Sequence, residues 1–403
     1  MTDLTVETRR TDPVASLIPF ADPVNPLLMQ RRGDGIAGLG EALRLEFSGP
    51  TRLADAAAAW REVSASARVD DEVKIGGSGL VAFGAFTFDD ASARTSVLIV
   101  PEVVIGRRDG VGWVTRVNGA TNPVAASALG TEYRLSLHPG SLAPDAYQAA
   151  VATAVSRILA GGLQKVVIAR DLVGHVPESA DLRRVLLELA LGYPDTWTFA
   201  VDRHIGSSPE TLVRVHAGDV TARVLAGSHA RGSDAEADAA AALELATSTK
   251  DLDEHRFAVE SVLAALRPHG PGITANELPF TLKLPNLWHL ASDVHGSLSD
   301  GSGALDLVAA LHPTAAVAGT PTARALDAIR ELEPFDRGRY GGPVGWVDQH
   351  GDGKWAISLR SAEVDADGTI TAFAGAGIVA DSVPARELAE TTLKFRPIVE
   401  AFG

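Results

Sequence analysis

Between residues 160 and 300 the hydrophobic pattern keeps changing period, and this limits the possible folds more than any other feature of the chain. KVVIARDLV (165–173) is a continuous apolar run of strand length. Leu182–Leu191 then has helical spacing and stops at Gly192, and Thr196–Val201 returns to strand character. Leu212–Val215 and Val220–Leu225 flank Gly218-Asp219, the pattern of an antiparallel hairpin. Asp234–Thr247 is helical again. Ser248 can cap a further helix, with Asp251 three residues on, ending near Pro268-His269-Gly270-Pro271. Helices interleaved with hairpins predict α+β layers rather than a doubly wound parallel sheet.

The remaining segments fit that picture. Pro144–Ala160 presents Tyr147, Val151, Val155, Ile158 and Leu159 at helical spacing before Gly161-Gly162. Leu80–Phe88, Ser96–Val104, Trp113–Val117 and Leu287–Val294 read as strands, and Ala304–Leu311 and Pro321–Leu332 as helices. Gly35–Phe47 and Leu53–Ala67 have helical or mixed periodicity. Residues 1–25 read as a poorly patterned leader entering structure near Phe20, and 118–132 as a small-residue linker. GSSPE (206–210) reads as a tight turn and AGSHARG (226–232) as a loop.

Charge and composition exclude several functions. The formal net charge is −15, so a general nucleic-acid surface is not expected, and any anionic ligand needs local cations or a metal. With 46% hydrophobic and 22% charged residues among 403, the composition is that of a globular protein with ample core. The absence of cysteine removes disulfides, thiolate metal sites and thiol nucleophiles, and fits a reducing compartment; the expected location is cytoplasmic. No apolar run reaches membrane-spanning length. Arg9-Arg10 is followed by Asp12, Pro13, Asp22, Pro23 and Pro26 rather than an apolar stretch, so no export signal is expected. No coiled or edge-pairing segment stands out, and a monomer is expected.

Chemistry-bearing residues concentrate near the C-terminus. Tyr340–Lys394 reads as three strands, a glycine turn and a closing helix. In Lys354–Glu363, taken as one strand, Arg360 shares a face with Ala356, Ser358 and Ala362, leaving space beside the guanidinium for a carboxylate. Gly375-Ala376-Gly377 lets backbone approach a ligand. Glu387, Glu390 and Lys394 fall on one side of the closing helix. Asp251 and Glu254 form a second carboxylate pair with the same spacing. Two such pairs suit a hard divalent ion such as Mg²⁺, though ordinary ion pairing on helix surfaces produces the same spacing.

Other positions admit two readings each. Lys165, opening an apolar strand, is either a strand-end lysine reaching solvent or a desolvated general base. Glu210 is either a solvated turn acid or a buried general acid. His289 is a core histidine or a ligand contact. GAGIVA (375–380) formally matches a dinucleotide-binding GxGxxA, but no strand with an acidic residue follows, so that reading is discarded. No phosphate loop, nucleophile elbow or helical HxxxH occurs.

Taken together, KVVIARDL (165–172), GSSPE, LAGS (225–228), KDLDEH (250–255), LWHLAS (287–292), LHPTAAVAGTP (311–321), RGRYGGPVGWVD (337–348), SLRSAE (358–363), AGAGIV (374–379) and ELAETTLKF (387–395) resemble the chorismate-utilising enzymes, most of all the isochorismate synthases. The resemblance runs from about Tyr147 to the end. It is thin before residue 140, where only Gly84–Phe88 and Val100-Pro101 echo the family. It implies one large α+β domain over residues 1–403, related to anthranilate synthase component I, with 141–403 as catalytic core and the site between two packed sheets.

The resemblance also implies roles. Lys165 is the base activating water, and Glu210 is the acid protonating the departing hydroxyl. Glu254 and Glu390 hold Mg²⁺ directly, supported by Asp251 and Glu387. Gly227, Ser228, Gly375, Ala376, Gly377, Arg360 and Lys394 bind the substrate carboxylates, while His289 and Tyr340 line the ring pocket. The implied reaction is Mg²⁺-dependent conversion of chorismate to isochorismate, which feeds both siderophore and menaquinone synthesis. Amine-transferring relatives usually lack a lysine at the position of Lys165, or carry a nucleophilic lysine where this chain has Ala226. Salicylate synthases, which go on to eliminate pyruvate, share the lysine base and remain an alternative, with pocket shape near Val317 and Tyr340 deciding. A non-catalytic chorismate-binding subunit is the reading of another class.

Overall fold

The apolar run that begins at Lys165 forms the strand Lys165–His175, paired antiparallel along most of its length with Thr369–Ile378. This pair is the inner edge of the site. The computed structural model describes residues 3–284 and 287–403. Among these, thirteen strands form one sheet and ten form a second. Only Thr5–Thr11 with Arg68–Asp71 pairs parallel among the named strands; the other pairings are antiparallel, some between hairpin neighbours and others between strands distant in sequence. The large sheet also contains Trp197–Val201, His204–Ser208 and Ser361–Val364. The smaller contains Thr211–His216, Asp219–Ala230, Leu287–Ser297 and Gly353–Ile357.

Inward-facing residues of both sheets form a dry layer in which Met29, Phe83, Trp113, Phe199 and Trp346 meet. Burying one such phenylalanine contributes about 1.5–3 kcal/mol relative to leaving it exposed. A larger cluster holds Trp355, Tyr147, Val166, Ala376 and Ile378 beneath the helices. Pro384–Phe402 lies on Thr369–Ile378, and Pro144–Leu159 and Arg183–Gly192 pack against it. Thr249–Leu266 lies on Asp219–Ala230. The Ser248 hydroxyl accepts the Asp251 amide, fixing the first turn of that helix and the aim of its acids.

Several local expectations are corrected. Thr5–Thr11 is a strand against Val111–Val117, and only Val6 and Thr8 turn inward, so its polar sequence hid a weak alternation. Gly35–Phe47 is not helical but covers parts of two strands, Asp34–Leu39 and Leu43–Phe47. Ser96–Val104 splits at Pro101-Glu102 into Ser96–Val100 and Val103–Arg108, which enter different sheets. GSSPE is no turn: Gly206 to Ser208 finish the strand His204–Ser208, and the turn is Asp202-Arg203, both at positive φ. The 226–232 loop is largely strand, since Asp219–Ala230 continues through a bulge between Ala226 and Ser228. The 118–132 segment has no regular element, but the Arg183 guanidinium donates to Ser127 Oγ and the Ala128 carbonyl.

The most consequential correction concerns Arg360. Lys354–Glu363 is two strands, Gly353–Ile357 in the smaller sheet and Ser361–Val364 in the large one, joined where the chain crosses between layers. Arg360 sits at that crossing with φ of 48°, a left-handed conformation uncommon for a residue with a side chain. Gly375-Ala376-Gly377, expected as a turn, lies within the strand Thr369–Ile378.

Candidate active site

Both sheets and two helices contribute to one cavity. The large sheet supplies Val167, Gly375 and Gly377, and the smaller supplies Leu225 to Ser228 and His289. Asp251 and Glu254 enter from Thr249–Leu266, and Glu387, Glu390 and Lys394 from Pro384–Phe402. Glu210 and Arg360 come from the segments that cross between sheets, and Tyr340 and Val317 complete the ring side. Ala376 is an exception among the expected residues. Strand alternation turns its methyl into the hydrophobic core, where it is fully buried.

Lys165 is the second departure from expectation. Its side chain is not part of the cavity wall; it stands behind Glu254, with Nζ 2.8 Å from Glu254 Oε1. Burial acts to raise the Glu254 pKa, but the charge and hydrogen bond of Lys165 outweigh it and the carboxyl is held below its ordinary value. A Cβ at Gly377 would lie 2.8 Å from Glu254 Oε1 and 3.0 Å from Lys165 Cε, so any side chain there would push the pair from its present position.

Glu210 is in the opposite state. Its residue is only 5% exposed, and burial pushes its pKa up to about 8 despite the opposing charges of Lys165, Arg360 and Lys394. At neutral pH it keeps its proton and can donate it. Arg360 as a residue is 8% exposed, and no hydrogen bond or ion pair engages its side chain among the described residues. A buried guanidinium with an unused donor fork on a cavity wall suits a carboxylate. Lys394 is partly committed, to Glu390 at 2.6 Å and to the Gly375 carbonyl at 3.0 Å.

His289 is neutral: burial and the cations Arg360 and Lys394 take its pKa down to about 3. Nδ1 lies 2.9 Å from Ser228 Oγ, while Nε2 is buried without a partner. That orphaned nitrogen on the wall suits a ligand hydroxyl or carbonyl. Tyr340 stacks on Phe373 with ring centroids 5.4 Å apart. A Cβ at Gly375 would come within 3.3 Å of Tyr340 Oη, so this glycine lets the ring in. Gly227 has φ of 79° at the bulge, and a Cβ there would meet Asp251 Cβ at 3.1 Å.

Two of the four carboxylates, Asp251 and Glu387, are pushed up, chiefly by burial. Burial, then repulsion from Glu254 and Glu390, raises Asp251. Burial, then Glu390, raises Glu387 to about 7. An all-oxygen set short of positive charge suits Mg²⁺ in donor type and in charge. Among the described residues no three His, Asp or Glu side chains gather at ligating distance, and Glu254 and Glu390 are each paired with a lysine.

Arg337 was not singled out from sequence, although its RGRYGG segment was. It is buried, paired with Glu333 at 2.6 Å, and donates to the carbonyls of Val167 and Val317. It therefore shapes the ring side of the cavity rather than binding an anion. Lys250, also unanticipated, reaches the acidic end 3.9 Å from Glu387 Oε1.

Two packed sheets with a site of acid, arginine and paired carboxylates between them define a class, and the comparisons give it a name. The family described as chorismate binding enzyme matches residues 114–403, and the chain belongs to that family. The chain is 42% identical over 272 residues to isochorismate synthase DhbC of Bacillus subtilis, covering 64% of this chain and 68% of that protein. It is similar in structure to a putative 2,3-dihydroxybenzoate-specific isochorismate synthase from Bacillus anthracis, with a TM-score of 0.79, 32% identity, and coverage of 96% and 98%. Anthranilate synthase component I from Streptococcus pneumoniae shares the fold at a TM-score of 0.73 and 22% identity, over 92% of each chain.

Proposed function

We propose that this protein is an isochorismate synthase, an isomerase that converts chorismate to isochorismate. The single observation that carries the reading is Glu210, a carboxyl that burial keeps protonated to about pH 8, on the wall of a cavity whose Arg360 has no partner of its own. The names of the relatives support the same activity.

The reaction adds water at C2 of the ring while the C4 hydroxyl departs and the ring double bonds shift. Arg360 and Lys394 hold carboxylate oxygens, and His289 Nε2 takes a ring substituent. Glu210 gives its proton to the departing C4 hydroxyl, which leaves as water. Lys165 takes the proton of the incoming water. It does so only after parting from Glu254 and releasing its own proton to solvent before the substrate closes the cavity. Each of these proton transfers is worth roughly 10²–10⁴-fold in rate.

Glu254 and Glu390 would hold Mg²⁺, with Asp251 and Glu387 supporting them. Bound there, the ion would neutralise charge between substrate carboxylate and acidic helices. The chain's −15 charge makes such local neutralisation necessary for a dianionic substrate. Action in the cytoplasm as a monomer completes the proposal; no helix among the described residues is long and apolar enough to cross a membrane.

The test is incubation of the purified protein with chorismate and Mg²⁺. Isochorismate without pyruvate is the expected result. Salicylate with pyruvate would move the assignment to a lyase, an ammonia-dependent product to amination, and no turnover to a binding subunit.

A further inference from the structure

A second, larger opening lies on another part of the sheet sandwich, a groove of about 560 Å³ walled by Arg31, Arg108, Arg214, Lys354 and Trp197. It shares strands with the catalytic cavity but uses different stretches of them. Asp219–Ala230 turns Thr221 to Arg223 to the groove and Gly227-Ser228 to the cavity, and Leu287–Ser297 likewise turns Asp293 to His295 and His289. Thr211, which accepts the Trp197 indole N–H at 2.9 Å, lines the groove and directly follows Glu210.

The groove is basic in an acidic protein. Six arginine and lysine side chains line it against three aspartates, in a chain of net charge −15. Two of the six are compensated, Arg223 by Asp293 at 2.6 Å and Arg32 by Asp195 at 2.6 Å. The other four are not. Among the described residues no hydrogen bond or ion pair engages the charged ends of Arg31, Arg108, Arg214 or Lys354. Arg31 and Lys354 touch only the Trp197 ring, at 5.6 and 5.5 Å from its centroid.

Nor is this an ordinary solvated face. Arg31, Arg108 and Lys354 are half-buried, and Arg214 stands directly opposite Lys354 on the neighbouring strand. Like charges in directly opposed cross-strand positions destabilise a sheet. Burial and then the neighbouring Arg108 and Arg214 bring Lys354 down to about 7; burial and then other arginines also lower Arg31 and Arg108. The fold thus gathers cations that repel one another, and the aspartates nearby, Asp34 and Asp109, offset them only through space and pair with none of the four. A bound anion removes that conflict, and a monovalent one would leave most of the cations unmatched.

We propose that this groove is a second anion-binding site, separate from the catalytic cavity, for a small molecule bearing two or more carboxylate or phosphate groups. The assignment does not depend on the activity proposed above.

Calorimetric titration of the full chain, without metal, tests it with two probes: inorganic pyrophosphate for the phosphate class and citrate for the carboxylate class. Saturable binding of at least one is expected. It should weaken at least tenfold in the double variant Arg214→Gln/Lys354→Gln and stay within twofold in Arg360→Ala. The double variant should also melt at a higher temperature than the parent when no anion is present, because it loses a repulsive pair. That rise separates loss of a site from loss of the fold. Binding of neither probe overturns the proposal. So does binding that survives the double variant, or that disappears in Arg360→Ala and therefore belongs to the catalytic cavity.

Discussion

Lys165 Nζ and Glu254 Oε1 are 2.8 Å apart, on side chains that are 3% and 11% exposed. The pair links an inner strand to an acidic helix and joins the expected base to an expected metal ligand. Removing one member leaves the other charge without water or partner, which typically costs about 3–5 kcal/mol. Lys165→Ala is therefore expected to abolish turnover and to lower unfolding free energy by about that amount in urea. Lys165→Met/Glu254→Gln should regain most of the stability and none of the activity. Equal instability of the single and double variants would remove the pair as the cause.

Glu210 gives the pH dependence a definite sign. Its native pKa is about 8, while an ordinary glutamate titrates near 4.5. Across that window the native state binds the extra proton, so its contribution to stability is full below about 4.5 and is lost as pH rises to about 8. The loss amounts to at most about 5 kcal/mol at roughly 1.4 kcal/mol per unit. The ligand-free protein should lose stability over this range, and Glu210→Gln should flatten that part of the profile. In kinetics, kcat/KM should fall above pH of about 8, and Glu210→Gln should lose roughly 10²–10⁴-fold below that pH and show no such fall above it. An unchanged alkaline limb in the variant would assign the proton elsewhere.

Arg360 is expected to act in binding. Hydrogen bonds to a charged group are worth about 1.5–3 kcal/mol, so Arg360→Ala should raise KM for chorismate by roughly 10–100-fold. Arg360→Lys should not restore it, because an ammonium cannot present two parallel donors. Full rescue by lysine would show that charge alone suffices.

Gly377 tests whether space beside the ion pair matters. A methyl there would sit 2.8 Å from Glu254 Oε1. Gly377→Ala should keep the fold, since this glycine is not at positive φ, and lower kcat by about tenfold or more through displacement of the pair. Circular dichroism and a progress curve are enough to check both halves.

The metal expectation has a readout apart from turnover. Mg²⁺ binding to the native state should raise the melting temperature of the parent protein. Glu254→Gln and Glu390→Gln should each shift that response to higher Mg²⁺. An identical Mg²⁺ titration in both variants would take these carboxylates out of the metal's coordination.

Much of this protein was legible from local pattern alone. The alternating periods gave the α+β class, and Glu387, Glu390 and Lys394 lie on one helix as their spacing implied. The motifs from Lys165 to Phe395 identified the family without any coordinates. What local pattern missed were residues whose environment is assembled from distant segments. Arg360 looks like the middle of one strand, yet it sits where the chain passes from one sheet to the other. Arg337 shows nothing distinctive until Glu333, Val167 and Val317 surround it.

The sequence by itself determined which side chains are available and on which elements they ride, because helical and strand periods act over a few residues. Only the tertiary structure decided their charge states. Glu210 is protonated because the sheets close over it, and Glu254 stays ionised because an inner strand brings Lys165 against it. The basic groove around Trp197 arises because four separated cations converge. Desolvation and Coulomb energy depend on distances through space, and those are set by packing rather than by spacing along the chain.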